Sequence, residues 1–215
     1  MLTLRVAALQ QRLVAENWDA LIVSSPENRR YLSGFTGSDG WLLVTPKASV
    51  LLTDFRYVEQ AEREAPGWTI HRLTNGLSTH LPDLVTDFGL QTIAFESTHV
   101  TVATFDDWRA SAADVHWVPT QDIIEGSRVI KDEEELAAIR KAVHLTDEAF
   151  AHLLAVLRPG MTEAAAAWEL ESYMRTHGGE KVAFELIVGS GPNGAQPHAT
   201  VSNRQIRAGE PIVID

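Results

Sequence analysis

The sequence lacks cysteine altogether. Disulfide bonds, zinc sites built on thiolates and cysteine nucleophiles are therefore excluded, and the composition suits a reducing compartment. Long apolar runs are also missing, because no stretch approaches the roughly 20 residues that a membrane-spanning helix requires. At the N-terminus, Arg5 and Arg12 interrupt apolar residues that are spaced as in an amphipathic helix, which does not fit a signal peptide. We expect a cytoplasmic protein that has no membrane-embedded segment.

Positive charge is scarce as well. The chain has 18 lysine and arginine residues against 29 aspartate and glutamate residues, which gives a net charge of -11. A negative surface disfavours binding to nucleic acid and to anionic membranes, because both are negative themselves. The sequence also lacks a glycine-rich phosphate loop, a His-Glu-x-x-His metal motif and a nucleophile elbow. Nucleic-acid binding and the enzyme classes that these motifs mark are therefore not expected.

The first part of the chain alternates between strand and helix patterns, which predicts an α/β layer structure. Pro26 and Gly34 are typical of the start and the end of a short helix. A Pro-Lys-Ala turn at 46–48 separates two apolar runs and predicts a hairpin. The strand-like runs are 20–23, 41–45, 49–53, 68–73, 91–95 and 114–118, and the helical patterns are the opening segment, 55–65, 77–88 and 101–111.

From about residue 120 the pattern changes to long helices. Asp132 and Glu135 have the spacing of a capping box, and the residues that follow predict a long helix with one apolar face. Thr162 is a second capping residue, placed before an alanine-rich helix that we expect to end at Gly178. The apolar face consists of Leu136, Ile139, Val143, Phe150, Leu153 and Leu157, and the later segments are a strand-like run at 183–190, a loop at 191–197 and an apolar strand at 211–215.

The change of pattern places a domain boundary near residues 119–127. We therefore expect one domain at 1–122 and a second at 123–215. Two long helices with one or two strands make a poor core for a finished domain, and the strand at 211–215 is apolar enough to need neighbours on both faces. We expect the chain to end within its second domain. The alternative is a native C-terminal strand in a small sheet.

Two residues stand out as candidates for chemistry. His198 follows Pro197 in a loop that no packing argument requires, and such loops often carry binding residues. Asp215 ends an apolar strand, where its carboxylate needs a cation, a basic side chain, a backbone donor or bulk water. The pattern alone favours water. Six other histidines lie inside helix or strand patterns and are expected to be structural: His71, His80, His116, His144, His152 and His177.

Several blocks of the sequence, taken together and in order, resemble one family. Residues 28–61 resemble the N-terminal domain of aminopeptidase P, prolidase and creatinase, and residues 128–215 resemble the opening of the catalytic domain of the same family. The blocks are Tyr-Leu-Ser-Gly-Phe-Thr-Gly at 31–37, Leu-Thr-Asp-Phe-Arg-Tyr at 52–57, Arg-Val-Ile-Lys at 128–131, Arg-Pro-Gly-Met-Thr-Glu at 158–163, Ser-Gly-Pro-Asn at 190–193, Pro-His at 197–198 and Arg-Ala-Gly-Glu-Pro-Ile-Val-Ile-Asp at 207–215.

The resemblance implies an N-terminal creatinase-like α/β domain with a mixed sheet, followed by the first part of a pita-bread α+β catalytic domain. It implies a peptidase that hydrolyses the Xaa-Pro bond in dipeptides or at the N-terminus of peptides. Two divalent metal ions, manganese, cobalt or zinc, are held in that family by two aspartates, one histidine and two glutamates.

Only the first of these metal ligands corresponds to a residue of this chain, which is Asp215. His198 corresponds to a histidine that contacts the substrate, and Phe184 lies near the pocket wall. The acid/base glutamate would lie beyond residue 215, so the resemblance implies that this chain alone is inactive. It also implies a homodimer in which the N-terminal domain can cap the neighbour's site, with Tyr31, Phe35, Arg56 and Tyr57 as candidates.

Two other functions are compatible with the same fold. A creatinase-like enzyme would hydrolyse an amidine without metal, but such a relative is not expected to retain Asp215. A non-catalytic pita-bread module would bind a protein partner instead of cleaving a peptide. A histidine and two glutamates supplied beyond residue 215 would distinguish the metallopeptidase from this module.

Overall fold

A computed structural model describes residues 2–215, without the side chain of Leu2, and divides the chain into two compact units at Ile130 and Lys131. The first unit contains six strands and six helices within its described residues. The strands are β1 Ala20–Val23, β2 Trp41–Val44, β3 Ser49–Thr53, β4 Thr69–Arg72, β5 Thr92–Glu96 and β6 His116–Thr120; the helices are α1 Leu2–Glu16, α2 Pro26–Ser33, α3 Val58–Glu64, α4 Leu77–Phe88, α5 Val102–Ser111 and α6 Ile123–Arg128.

The six strands form one mixed sheet in the order β4-β3-β2-β1-β5-β6. Strand β2 runs antiparallel to both of its neighbours, and β2 and β3 form the predicted hairpin. The pairs β1–β5, β5–β6 and β3–β4 are parallel. The α/β class and the mixed sheet expected from the sequence are confirmed.

Helices cover both faces of this sheet, which explains why its central strands are apolar without alternation. Within β1, Ile22 packs in the cluster that contains helices α4 and α5, whereas Leu21 packs in the cluster that contains helix α1. All four residues of β1 are buried. An apolar run of this kind is expected wherever a strand is buried on both sides.

The carboxylate of Glu96, at the end of β5, ties the start of α2 to the sheet. It accepts hydrogen bonds from the backbone N–H groups of Ser24 and Ser25, at 2.5 and 2.7 Å, and from the side chain of Asn28 at 2.6 Å. Asn28 is fully buried, and its amide oxygen accepts a 2.7 Å hydrogen bond from Arg128. The last turn of α6 is thereby connected to the sheet.

This connection explains where the two units divide. The sequence placed the boundary at 122, before α6, because the polar run there suggested a linker. In the structure, Ile124 is buried in the core of the first unit, and the Tyr31 hydroxyl donates to the Ser127 carbonyl at 3.3 Å. Helix α6 therefore packs with the first unit, and the division follows it.

One predicted helix of the first unit is shorter than expected. The pattern predicted a helix from residue 55, but α3 begins at Val58. A turn comes first, in which Asp54 accepts the Arg56 N–H on its carboxylate at 2.8 Å and the Tyr57 N–H on its carbonyl at 3.2 Å. The short polar side chain of Asp54 thus binds the Arg56 N–H and favours a turn over a helix at this point.

The second unit consists of two helices, a short 3₁₀ segment and a two-stranded antiparallel sheet: α7 Glu133–Val156, α8 Glu163–Thr176, β7 Val188–Ser190, the 3₁₀ helix Gly191–Ala195 and β8 Ile212–Ile214. Both predicted caps are present. Asp132 and Glu135 form a reciprocal capping box, and the Thr162 hydroxyl accepts the Ala165 N–H. No helix within residues 2–215 is long and apolar enough to cross a membrane.

Two features of this unit differ from the sequence prediction. The strand expected at 183–190 exists only from Val188, because β8 is short and its pairing ends at Ile187. The apolar face of α7 is buried only in part: Leu153 is fully buried, whereas Ile139, Val143 and Phe150 are exposed. Helix α8 therefore buries only part of the apolar face that the sequence pattern of α7 predicts.

We predict that Leu21→Ala destabilises the first unit by about 2–5 kcal/mol, because a fully buried side chain is removed from a core that relaxes only partly. The matched control is Leu4→Ala in α1, where the leucine is 74% exposed. That change should stay within about 0.5 kcal/mol. Urea unfolding followed by tryptophan fluorescence measures both. Equal losses for the two variants would contradict the burial of Leu21 between the sheet and α1.

Candidate functional site

Asp215 is placed by the small sheet of the second unit. Its N–H donates to the Ile187 carbonyl at 2.9 Å, and the Ile187 N–H donates back to the Asp215 carbonyl at 2.8 Å. These bonds extend the β7–β8 pairing by one residue at the end of β8. Asp215 is exposed, and within residues 2–215 no side chain forms a hydrogen bond or ion pair with its carboxylate. Its backbone is fixed while its oxygens remain accessible.

His198 lies between the 3₁₀ segment and β8, in an exposed position. Its neighbour Ala199 is buried, and the Ala199 N–H donates to the Gln196 carbonyl at 3.3 Å, which closes a turn around the histidine. Pro197 restricts the backbone just before it. Among the described residues, the imidazole forms no hydrogen bond.

Phe184 is 53% exposed and precedes β7, in a segment that the sequence assigned to a strand. Backbone pairing brings Asp215 beside Ile187, three residues after Phe184. No described hydrogen bond joins His198 to either residue. The three candidates therefore share one unit, and the pairing at Ile187 links only two of their segments.

A shallow groove of about 440 Å³ lies in the second unit and is lined in part by residues that flank Phe184 in sequence. Its apolar lining comes from α8 and from the segments near 182–186 and 200–201, and none of the three candidate residues belongs to it. Residues that line it include Ala164, Ala167, Trp168, Val182, Leu186 and Val201.

The residue that sequence reasoning missed is Glu163, at the start of α8. Its side chain is fully buried, and it lies among donors from three separate segments. Oε1 accepts the N–H and the hydroxyl of Ser190, at 2.7 and 2.8 Å. Oε2 accepts the Ser202 hydroxyl at 2.6 Å, and the Asn193 amide donates to both oxygens, at 3.1 and 3.0 Å.

Arg204 fixes the direction of these hydrogen bonds. Its guanidinium donates to the Ser190 hydroxyl oxygen at 2.5 Å, and its backbone N–H donates to the Ser202 hydroxyl oxygen at 3.1 Å. Each serine therefore accepts from Arg204 and has its own hydrogen available for Glu163. The guanidinium also forms an ion pair with Glu210 at 2.6 Å.

The backbone of the same region supports this network. The Glu163 N–H donates to the Arg204 carbonyl at 3.1 Å, and the Ala164 N–H donates to the Ser202 carbonyl at 3.0 Å. These N–H groups belong to the first turn of α8, which has no partners within the helix. The segment near 202–204 thus caps α8 while its serine binds the carboxylate.

Burial alone would raise the pKa of the Glu163 carboxyl, but hydrogen bonds from Ser202, Ser190 and Asn193 outweigh it and lower the pKa from 4.5 to about 2. The carboxylate is therefore ionised at neutral pH. A charged acceptor makes stronger hydrogen bonds than a neutral one.

We predict that the second unit loses stability as the pH falls from about 4.5 towards about 2. The folded pKa lies below the unfolded one, so the contribution is complete above the unfolded value and disappears as the carboxylate is protonated. Glu163→Gln should reduce this acid dependence and cost about 1–3 kcal/mol at neutral pH, because buried donors lose their acceptor. Thermal unfolding across this pH range measures the slope.

The control for this prediction is Glu169→Gln, on the same helix, where the glutamate binds only the partly exposed His152. It removes one negative charge from α8 and leaves the buried network intact. An unchanged acid slope in Glu163→Gln would contradict the assignment of that slope to Glu163.

The described residues do not form a complete metal site. Within residues 2–215, no group of three or more histidine, cysteine, aspartate or glutamate side chains is placed to hold one metal ion. Asp215 supplies an accessible carboxylate, which is the hard oxygen ligand that manganese prefers. The donor chemistry fits one ligand of such a site and no more.

The four candidates for capping a neighbouring site differ in accessibility. Phe35 is fully buried and packs edge-on against Tyr57, which makes it a core residue and rules it out. Tyr31 is half-buried and is engaged with Ser127. Arg56 keeps 56% of its side chain exposed and pairs with Asp54. Tyr57 is half-buried like Tyr31, and its hydroxyl is hydrogen-bonded to Ser38, so Arg56 is the most accessible of the four candidates.

Comparison with known proteins gives two consecutive family matches. Residues 5–130 match the Creatinase/Prolidase N-terminal domain, and residues 137–215 match metallopeptidase family M24. The uncharacterized peptidase YqhT of Bacillus subtilis is 35% identical over 197 residues, which cover 92% of this chain and 56% of that protein. The chain thus spans little more than half the length of this relative.

Solved structures give the same result. An Xaa-Pro dipeptidase from Bacillus anthracis is 30% identical with a TM-score of 0.93, covering 100% of this chain and 60% of that one. An X-Pro aminopeptidase from Thermotoga maritima is 33% identical with a TM-score of 0.87, covering 96% and 59%. The resemblance and the fold class inferred from the sequence are confirmed. The chain belongs to the creatinase/prolidase family, with a Creatinase/Prolidase N-terminal domain followed by a segment that matches metallopeptidase family M24.

Proposed function

We propose that the protein to which this chain belongs hydrolyses the peptide bond before proline, in Xaa-Pro dipeptides or at the N-terminus of longer peptides. The observation that carries the proposal is the pair of consecutive family matches, which together span most of the chain. Relatives with solved structures include both an Xaa-Pro dipeptidase and an X-Pro aminopeptidase. Both substrate lengths therefore belong to the proposal.

The roles proposed for the candidate residues are those that the family resemblance implies, and the accessibility of each residue is compatible with its role. His198, exposed on a loop with a fixed turn, would hydrogen-bond the substrate. Phe184, more than half exposed, would form part of the apolar wall beside the proline ring. Asp215 would bind metal through a carboxylate that no described side chain engages. The bond before proline is a tertiary amide, so its nitrogen has no hydrogen to donate to an enzyme.

We further propose that two divalent ions, manganese, cobalt or zinc, serve the full-length enzyme. When bound, such ions would lower the pKa of water and polarise the scissile carbonyl. Asp215 would provide one ligand, and the others would come from outside residues 2–215. The 215-residue chain alone is proposed to be inactive, because its described residues do not assemble three ligands. We also propose that the full-length protein is a homodimer and that it is cytoplasmic.

The test is a parallel assay of the full-length protein and the 215-residue chain on alanyl-proline, alanyl-prolyl-glycine and alanyl-glycine. With manganese, the full-length protein should cleave only the two substrates that contain proline, and the short chain should cleave none. Chelation should abolish the activity and added manganese should restore it. Failure of the metal-loaded protein to cleave would favour a non-catalytic binding module. In a separate assay on an amidine substrate, hydrolysis without metal would favour a creatinase-like enzyme.

We also predict that Asp215→Asn in the full-length protein weakens metal binding at least tenfold, because an amide oxygen replaces a charged ligand. Isothermal titration with manganese measures this directly and does not depend on turnover. Asp114→Asn, at an exposed site in the first unit, is the control for the loss of one charge. Unchanged manganese affinity in Asp215→Asn would remove Asp215 from the metal site.

A further inference from the structure

We propose that Glu163 is a positioning residue that holds His198 in its substrate-binding place, an inference that rests on the proposed function. His198 lies in the segment between Ser190 and Ser202. Both of these serines donate hydrogen bonds to the Glu163 carboxylate, one to each oxygen. The Glu163 side chain thereby binds both ends of the segment that carries His198.

Further contacts restrict the segment between these ends. Asn193 donates to both carboxylate oxygens, so the 3₁₀ segment is attached to the same group. Ala199 is buried next to His198 and closes the turn from Gln196. The exposed imidazole therefore stands on a backbone that is held on each side. Holding a substrate-binding group in place before the substrate arrives reduces the ordering cost of binding.

The negative charge of Glu163 is essential to this arrangement. The Ser190 and Ser202 hydroxyls already accept hydrogen bonds from Arg204, so each needs an acceptor for its own hydrogen. A glutamine at 163 has nearly the same shape but presents an NH₂ group in place of one oxygen. A hydroxyl or the Asn193 amide would then face a donor, and a buried hydrogen would lose its acceptor.

Glu163 can act on the site only indirectly. Glu163 is fully buried, so it cannot contact a substrate itself, and it can influence binding only through the segment that it holds. Its partners Ser190, Asn193 and Ser202 lie on both sides of His198 in sequence.

A double-mutant cycle in the full-length, manganese-loaded protein tests the inference, with kcat and KM measured on alanyl-proline. Glu163→Gln should lower kcat/KM about ten- to a hundredfold when His198 is present, mainly through KM. In the His198→Ala background the same change should alter kcat/KM by about twofold or less, because the group that it positions is gone. A purely structural role would give similar losses in both backgrounds and would overturn the proposal.

Two controls keep the result decisive. Glu169→Gln, on the same helix, should leave kcat/KM unchanged in either background. Ser202→Ala removes a single hydrogen bond to Glu163 and replaces Glu163→Gln in the cycle if the latter fails to fold. It should show the same dependence on His198 with a smaller loss.

A second measurement separates failure of this inference from failure of the proposed function. Hydrogen exchange on the full-length protein needs no turnover, and Glu163→Gln should speed exchange at the Ser190 and Ala199 amides while leaving amides of β1 unchanged. Wild-type protein that does not cleave alanyl-proline refutes the proposed function only. Unchanged exchange at both amides refutes the positioning role, whatever the activity.

Discussion

Both units depend on one kind of interaction, a carboxylate removed from water and surrounded by donors from distant parts of the chain. Burying a charge without partners is far more costly than burying an apolar group, so such a residue is tolerated only when its donors are in place. Glu96 has backbone and side-chain donors from the start of α2, and Glu163 has donors from Ser190, Asn193 and Ser202. Correct folding of each unit is therefore linked to the correct placement of segments that are far apart in sequence.

The two carboxylates organise different kinds of structure. Around Glu96 the surroundings are a sheet covered on both faces, and the network there reaches Arg128 at the end of the unit through Asn28. Glu163 lies in a unit with a small core and two short strands. Hydrogen bonds therefore contribute more to the ordering of its irregular segments. The second unit is also the one that carries His198, Phe184 and Asp215. Of these candidate residues, His198 lies in the segment whose two ends are held by the polar network of Glu163.

The sequence was most informative where local patterns decide the structure. Apolar runs, the caps at Asp132 and Thr162, and the hairpin turn predicted elements that the structure contains. Patterns failed where a partner was needed. Residues 183–186 are strand-like in composition but have no strand beside them within residues 2–215, and the apolar face of α7 is wider than α8 covers. Glu163 could not be found in this way. Its donors lie 27 to 39 residues away in sequence, and an acidic residue after a capping threonine is also the ordinary start of a helix.

The position of Glu96 has a consequence for the first unit as a whole. Strands β1 and β5 are adjacent and parallel, and the chain leaves them towards opposite edges of the sheet, which in open α/β sheets creates the crevice where ligands bind. Here that crevice, at the carboxyl ends of the two strands, is occupied by the protein's own anion. A free phosphate or carboxylate would have to displace a competitor that is covalently attached and therefore present at an effective concentration on the order of millimolar or above. In the first unit, the Glu96 carboxylate thus takes the position where such sheets usually bind a ligand. The sheet therefore has a structural role.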